Sequence, residues 1–274
     1  MTHWSQDYGW RGKMGINATP VVDNSHFELM RVAPAGVGVY QTFPYVPQFR
    51  VEAERIQQSV EQLEHCARTL GEAGVDVVGQ CGTPFSFAGG DSLEWAQSIH
   101  SKLEAASGKP VALMGLSILE ALQDRGYKSV AVSASYYSQD LCERYARFLE
   151  AGGIRVVTVA NWVDQGLFSD EGQMNPPKLW YPASYAYRSA REVADAAPDV
   201  DCIVMSGAAM HTMDVISPLE NDLQKPVISS DAAFFWKLLL LLGVRETSGD
   251  WGSLLGSLGL AAKLRAPPSR VRAL

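Results

Sequence analysis

Apolar residues along the chain fall into two kinds of run. Short runs rich in Val and Ile and bounded by turn residues predict buried strands. They are Gly12–Asn17, Gly36–Phe43, Val75–Gln80, Pro110–Gly115, Ser129–Ser135, Arg155–Asn161, Cys202–Gly207 and Pro226–Ser230. Longer stretches carry apolar residues at helical spacing. In Val51–Ala73 these are Ile56, Val60, Leu63 and Leu70, with Glu, Arg and Gln between them. Ser92–Ala106, Ile118–Gly126, Ser138–Gly152 and Ala183–Ala197 follow the same pattern, and Phe234–Val244 predicts a buried helix. Alternating strand and helix implies parallel strands joined by right-handed crossovers. The strands are apolar throughout, as expected when helices cover both faces of a sheet. The predicted fold class is therefore α/β.

The pattern repeats. AGVDVVGQCGTPFSFAGG follows a long helix in the first half, and PDVDCIVMSGAAMHTMDVI follows one in the second. Each is a strand ending in small residues, and each precedes a lysine–proline strand, GKPVALMG or QKPVISS. Two pseudo-symmetric halves are expected, with the strand ends facing one cleft, where open α/β sheets bind ligands. Residues 12–117 form the expected first half, completed by 226–247, and 118–225 form the second. Residues 1–11 read as an arm and 248–274 as a partly disordered tail. Asp164–Pro182 reads as a loop covering the cleft.

Composition narrows the function classes. The net charge of −7, with no basic stripe, argues against nucleic acid as a partner. No apolar run reaches the ~18 residues of a membrane span, and the N-terminus lacks a secretion-signal pattern. Cys66, Cys81, Cys142 and Cys202 are far apart, so neither a disulfide framework nor a zinc site is expected. The expected protein is cytoplasmic and homo-oligomeric. With no phosphate loop, dinucleotide fingerprint or metal-ligand cluster, no cofactor is expected.

Four groups of residues at predicted strand ends carry candidate chemistry. Cys81-Gly82-Thr83-Pro84 offers backbone N–H groups and a hydroxyl for a carboxylate or oxyanion; its structural alternative is a tight connection. Ser206-Gly207-Ala208-Ala209 lets a ligand approach closely, and His211 follows, near a helix start that favours the neutral imidazole. The alternative there is a packed or surface histidine. Tyr136 and Tyr137 can donate to an anion or pack between the halves. Asn17-Ala18-Thr19-Pro20 supplies an amide and a hydroxyl, or simply a turn. Phe43, Tyr45, Phe85, Phe87 and Trp180 are candidates for an apolar wall, and Trp4, Tyr8 and Trp10 for assembly contacts.

Together the segments VDVVGQCGTPFSF, KPVALMGLSILEAL, SVAVSASYYSQDLCERYARFLE, CIVMSGAAMHTMDVISPLE and KPVISSDAAFFWKLL resemble the aspartate/glutamate racemase superfamily over roughly Gly12 to Gly243. The branch they resemble is that of arylmalonate decarboxylase and maleate cis-trans isomerase. The resemblance implies two α/β halves with the active site between them. It also implies a pair of opposed cysteines in racemases and isomerases, and only the second-half cysteine in the decarboxylases, where it protonates an enediolate left by loss of carbon dioxide. Matched by position, the first-half thiol site is Gly82, and Thr83 is the carboxylate-binding Thr. Pro84 replaces a Ser. The second-half thiol site is Gly207 or Ala208. The carboxylate-binding Tyr is Tyr136 or Tyr137, and Asn17 matches an early Asn.

Neither thiol position is cysteine, and Cys81 lies one residue before the first. A one-residue shift along a strand points a side chain to the other face. The expectation is a cofactor-independent enzyme acting on a small carboxylate, by decarboxylation or isomerisation, with a non-standard acid/base group. The candidates for that group are His211, Cys81, Tyr136 and Tyr137; those for substrate binding are Asn17, Gly82, Thr83, Pro84, Ser206, Gly207 and Ala208. The alternatives are a catalytically silent carboxylate binder, a hydrolase of a small amide or cyclic imide, or an assembly subunit.

Overall fold

A computed structural model describes residues 9–21, 23–90, 92–175 and 181–265. In chain order the elements are β1 (Gly12–Asn17), α1 (Ser25–Val32), β2 (Val37–Thr42), α2 (Ala53–Gln58), α3 (Val60–Glu72), β3 (Val77–Gln80), α4 (Leu93–Ser107), β4 (Val111–Leu113) and α5 (Met114–Asp124). There follow β5 (Ser129–Ser135), α6 (Gln139–Ala151), β6 (Arg155–Asn161), α7 (Ala183–Ala196), β7 (Cys202–Met205), α8 (Met213–Leu223), β8 (Val227–Ser229), α9 (Ser230–Leu242) and α10 (Ser253–Arg265). Two four-stranded parallel sheets result, ordered β2-β1-β3-β4 and β6-β5-β7-β8. The predicted α/β class and the two repeated halves are both present.

The two sheets are related by the duplication read from the sequence: β3–β4 in the first corresponds to β7–β8 in the second. The segment 226–247 is divided, not a completion of the first half. Its strand β8 pairs with β7 in the second sheet, while α9 lies against β1, β3 and β4 of the first. Gly79 in β3 makes this approach possible, since a Cβ there would stand 2.5 Å from Phe234 Cζ. Helix α5 makes the reciprocal crossing. Leu119 covers Gly152, and Gln123 donates to the Gly152 carbonyl at 2.9 Å. The helices α5 and α9 also pack on each other, which joins the two halves. One large apolar cluster consequently runs through both halves.

Three local departures from the predicted elements have plain causes. The stretch Val51–Ala73 is broken at Ser59, whose hydroxyl bonds back to the Ile56 carbonyl at 2.7 Å and competes with the helix ladder. Helix α1 was not predicted, because Phe27 and Met30 stand exposed beside buried Leu29 and Val32 and blur its apolar face. The expected tail contains α10, which packs on α9 and buries Leu254, Leu255 and Leu258. Residues 266–274 and most of the arm, with Trp4 and Tyr8, lie outside the described residues. Trp10, at the arm's described end, is largely exposed. Among the described residues no helix is long and apolar enough to cross a membrane.

Candidate active site

The loops leaving β1, β3, β5 and β7 meet around one cavity. Its polar wall comes from both halves. Thr19 and Asp23 follow β1, Gly82-Thr83-Pro84 follow β3, Tyr136 and Tyr137 follow β5, and Ala208 and Ala209 follow β7. Its apolar wall is Phe49, Val51, Ile56 and Phe85. No Lys or Arg is among these residues, so an anion here is held by neutral donors.

Backbone geometry explains how both tyrosines arrive. Ser135, the last residue of β5, has φ +52°, an uncommon conformation for a residue with a side chain and typical of functional sites. It is secured by its hydroxyl donating to the Ser206 carbonyl and by Trp162 N–H donating to its own carbonyl at 2.7 Å. The chain then turns, with Tyr137 N–H on the Ala134 carbonyl at 3.1 Å, and both rings face the cavity. Both tyrosines read from the sequence as alternatives line the cavity. The Tyr136 hydroxyl accepts the Ala209 N–H at 3.3 Å. The Tyr137 hydroxyl is buried near Thr83 and has no partner of hydrogen-bonding geometry. Burial drives both phenols well above their ordinary pKa, so both remain protonated donors at neutral pH.

Ser230, the first residue of α9, ties the two halves together. Its Oγ lies 2.7 Å from Thr83 Oγ1 and accepts the Gly207 N–H at 3.2 Å. Of the three positions matched to family thiols, Gly82 and Gly207 are closed to side chains, while Ala208 presents its Cβ to the cavity. Gly82 has φ +92°, and a Cβ on it would meet the Phe85 ring at 2.6 Å; Gly207 has φ +126°, and a Cβ would stand 2.5 Å from Ser135 Oγ. Of the loop expected to cover the cleft, Asn175 fastens to the first half. Its carbonyl accepts from Arg50 at 2.9 Å and its Oδ1 from Val51 N–H at 3.3 Å, beside the apolar wall.

Several sequence candidates do not reach this cavity. Cys81 is fully buried and faces Ser25, Asp23 and Asp231 instead; burial and the two carboxyls push its thiol well above its ordinary value. Strand alternation had pointed it to the far face, and the closed Gly82 turn keeps it there. His211 stands half-exposed outside, 3.4 Å from Glu28 Oε1 and 3.4 Å from Asn24 Nδ2. It precedes α8 and does not sit in its first turn. Asn17 is buried below the cavity, where its Nδ2 donates to the Leu63 carbonyl at 2.9 Å. Ser206 turns its hydroxyl into the core beside Tyr145. Gly207 contributes its N–H to Ser230, while Ala208 lines the cavity. Phe43 and Tyr45 are exposed, Phe87 lies in the core, and Trp180 is outside the described residues. It follows that His211→Ala leaves turnover within about twofold, as for other exposed substitutions away from a site. Cys81→Ala costs about 1 kcal/mol of stability without lowering turnover; steady-state rates and urea melts of both variants check this.

Sequence reasoning missed Asp23. Its carboxyl is buried in the cavity wall, with Ser25 N–H on Oδ1 at 2.9 Å and Thr19 Oγ1 at 2.9 Å from Oδ2. Burial pushes it above the usual carboxylate range, and the Ser25 N–H, the hydroxyl and N–H of Thr19, and His26 offset only part of the shift. The available signal was the run Thr19 to Ser25 after the first strand, in which only the Thr was singled out.

Two parallel-sheet halves closing on one cavity of neutral donors place the chain on the aspartate/glutamate racemase scaffold. A family model described as arylmalonate decarboxylase matches residues 48–255, and the chain belongs to that family. It is 28% identical over 222 residues to arylmalonate decarboxylase of Bordetella bronchiseptica, covering 76% of this chain and 84% of that protein. Its fold is similar to a crystal structure of arylmalonate decarboxylase, with a TM-score of 0.72 at 22% identity over 89% of this chain and 99% of the other. A mutant of Nocardia farcinica maleate cis-trans isomerase, holding a covalently bound succinylcysteine intermediate, superimposes with a TM-score of 0.73 at 19% identity, over 89% of this chain and 98% of that one.

Proposed function

We propose that the chain is a cofactor-independent lyase or isomerase acting on a small carboxylate, of the kind that passes through an enediolate, with an acid/base group other than cysteine. The observation that carries this reading is the unpartnered Tyr137 hydroxyl, buried at the cavity wall near Thr83. A buried donor without an acceptor costs about 1–3 kcal/mol, and a substrate carboxylate oxygen recovers it. The same phenol and the Thr83 hydroxyl stabilise the enediolate oxygens as charge moves onto them. The wall of Phe49, Val51, Ile56 and Phe85 accommodates an apolar or aryl substituent. It also disfavours a second charged carboxylate more than the neutral carbon dioxide leaving it.

Membership of the arylmalonate decarboxylase family supports decarboxylation of a substituted malonate as the reaction to test first. The exposed Trp10, Tyr40, Phe43 and Tyr45, two of them on or next to the edge strand β2, support a self-associating protein. A silent carboxylate binder is the second reading, favoured by the absence of cysteine at Gly82, Gly207 and Ala208 and by the closure of the two glycines to side chains.

Proton NMR in D2O with aryl- and alkylmalonates, maleate, maleamate, hydantoins and amino-acid enantiomers tests the proposal. Loss of a malonate with deuterium entering the adjacent carbon is expected. Thr83→Val is expected to raise KM about tenfold, the equivalent of one lost hydrogen bond to a charged group. Selective line broadening of one compound without any conversion sinks the enzyme reading in favour of the binder.

A further inference from the structure

We propose that Asp23 is the proton-transferring group of this cavity, a carboxylic acid standing in for the thiol that neither half supplies. The assignment rests on the enzyme reading above. Of the described residues that line the cavity, three are titratable: Asp23, Tyr136 and Tyr137. Both phenols are made weaker acids by burial. A useful general acid has its pKa near the working pH, neither far below nor far above. A carboxyl raised by burial moves toward that range, and a raised phenol moves away from it.

Hydrogen bonds on both oxygens fix the Asp23 carboxyl in the cavity wall. The Thr19 hydroxyl lies 2.9 Å from Oδ2, to which it donates, and 2.5 Å from the Val21 carbonyl. Oδ1 accepts the Ser25 N–H at 2.9 Å. These donors offset only part of the upward push of burial.

Burial is what favours the protonated form of Asp23. Ser25 donates its hydroxyl to Asp231 Oδ1 at 2.7 Å, so two buried carboxyls flank one serine. Asp231 is itself pushed up by burial and by Asp23, so it adds no charge beside Asp23 when it keeps its proton. The other titratable neighbours are Cys81 after β3 and Tyr136 after β5, both neutral, and His26 on α1, whose charged form draws the Asp23 carboxyl down while burial lowers its own pKa. No Lys or Arg lines the cavity.

With a malonate dianion the chemistry balances as follows. The bond from the central carbon to one carboxylate breaks, carbon dioxide leaves, and the electron pair remains as an enediolate on the other carboxylate. The Asp23 carboxyl gives its proton to the central carbon as that pair forms the new C–H bond. The resulting carboxylate takes a proton from water, releasing hydroxide. The products are a monocarboxylate, carbon dioxide and a recharged Asp23.

The test uses the full chain, phenylmalonate as substrate and phenylacetate as a binding probe. Asp23→Asn is expected to lower kcat by about 10²–10⁴-fold while phenylacetate line broadening persists. Wild-type kcat is expected to fall as pH rises through the Asp23 pKa, because the acid form is required. Asp23→Glu retains part of the activity and shifts that limb, a response that a merely structural residue does not give. An Asp23→Asn chain with kcat within about tenfold of wild type overturns the assignment and leaves the enzyme reading intact. If Asp23→Asn fails to fold, the Asp23→Glu profile decides, and an unmoved limb overturns the assignment. A wild-type chain silent on the whole substrate panel overturns the enzyme reading and this assignment with it.

Discussion

Gly207→Cys is expected to destabilise the protein by about 2–6 kcal/mol, although it restores cysteine at a position matched to a family thiol. The φ of +126° belongs to a region that residues with a Cβ rarely enter. The new Cβ would stand 2.5 Å from Ser135 Oγ and 2.9 Å from the Tyr136 ring. Neither neighbour is free to yield. Ser135 is held by the Ser206 carbonyl, and Tyr136 by the Ala209 N–H and the ring of Tyr137. Against a total stability of about 5–15 kcal/mol, the loss is large enough to see as a lowered urea midpoint. Ala208→Cys is the matched comparison. Ala208 already presents its Cβ to the cavity, so a thiol there is expected to cost little and to react with a small alkylating reagent. The native cysteines are all buried and are expected to react only on unfolding. A Gly207→Cys chain as stable as wild type would mean that residues 206–209 take another backbone path once a side chain is present.

The second large effect is on stability against pH. Burial holds Asp231 well above the ordinary carboxylate value, and Asp23 is raised for the same reason. For each, the native state keeps a proton that the unfolded state has released. Their contribution is therefore fully present below the unfolded pKa of about 4. It is lost as pH rises from there through the folded values. Asp231→Asn keeps an acceptor for Ser25 and places an amide near Thr212, the other contact of this carboxyl, with no charge to bury. It is expected to stabilise the protein by about 1–3 kcal/mol at neutral pH, the gain shrinking as pH approaches the unfolded value. Asp201 and Asp214 act with the opposite sign. The Lys128 N–H lowers the first and Arg31 the second, so their small, solvent-screened contributions disappear on acidification. Urea melts of wild type and Asp231→Asn over a pH series separate the two effects. An Asp231→Asn chain less stable than wild type at neutral pH would show that the acid earns its place through contacts rather than costing stability by its burial.

How much of the site was legible divides along the same physical line. Thr83, Gly82, Pro84, Ala208 and the tyrosine pair line the cavity, because a strand that ends in small residues puts the next few residues at the sheet's carboxyl edge whatever the details. His211, Asn17, Ser206 and Cys81 were misplaced, each by a turn of backbone. A strand end fixes which loop reaches the cavity, but the φ values of Gly82, Ser135 and Gly207 decide which side chains on that loop do. Asp23 was missed for a related reason. Its role depends on burial and on Thr19, Ser25 and Asp231, and the last of these is more than two hundred residues away in sequence.

The sequence by itself determined the parallel α/β class and the duplication, since apolar runs of period and length suited to buried strands and helices are local properties of the chain; the family branch followed from the resemblance of whole segments such as VDVVGQCGTPFSF. It also determined that both thiol positions lack cysteine. Only the tertiary structure decided that β8 and α9 serve different halves, that both glycines are closed to side chains, and that a buried carboxyl faces the cavity. Those facts depend on which distant groups share a few ångströms of space, where burial shifts a proton equilibrium and a single Cβ meets its neighbours, and no local pattern of residues encodes that proximity.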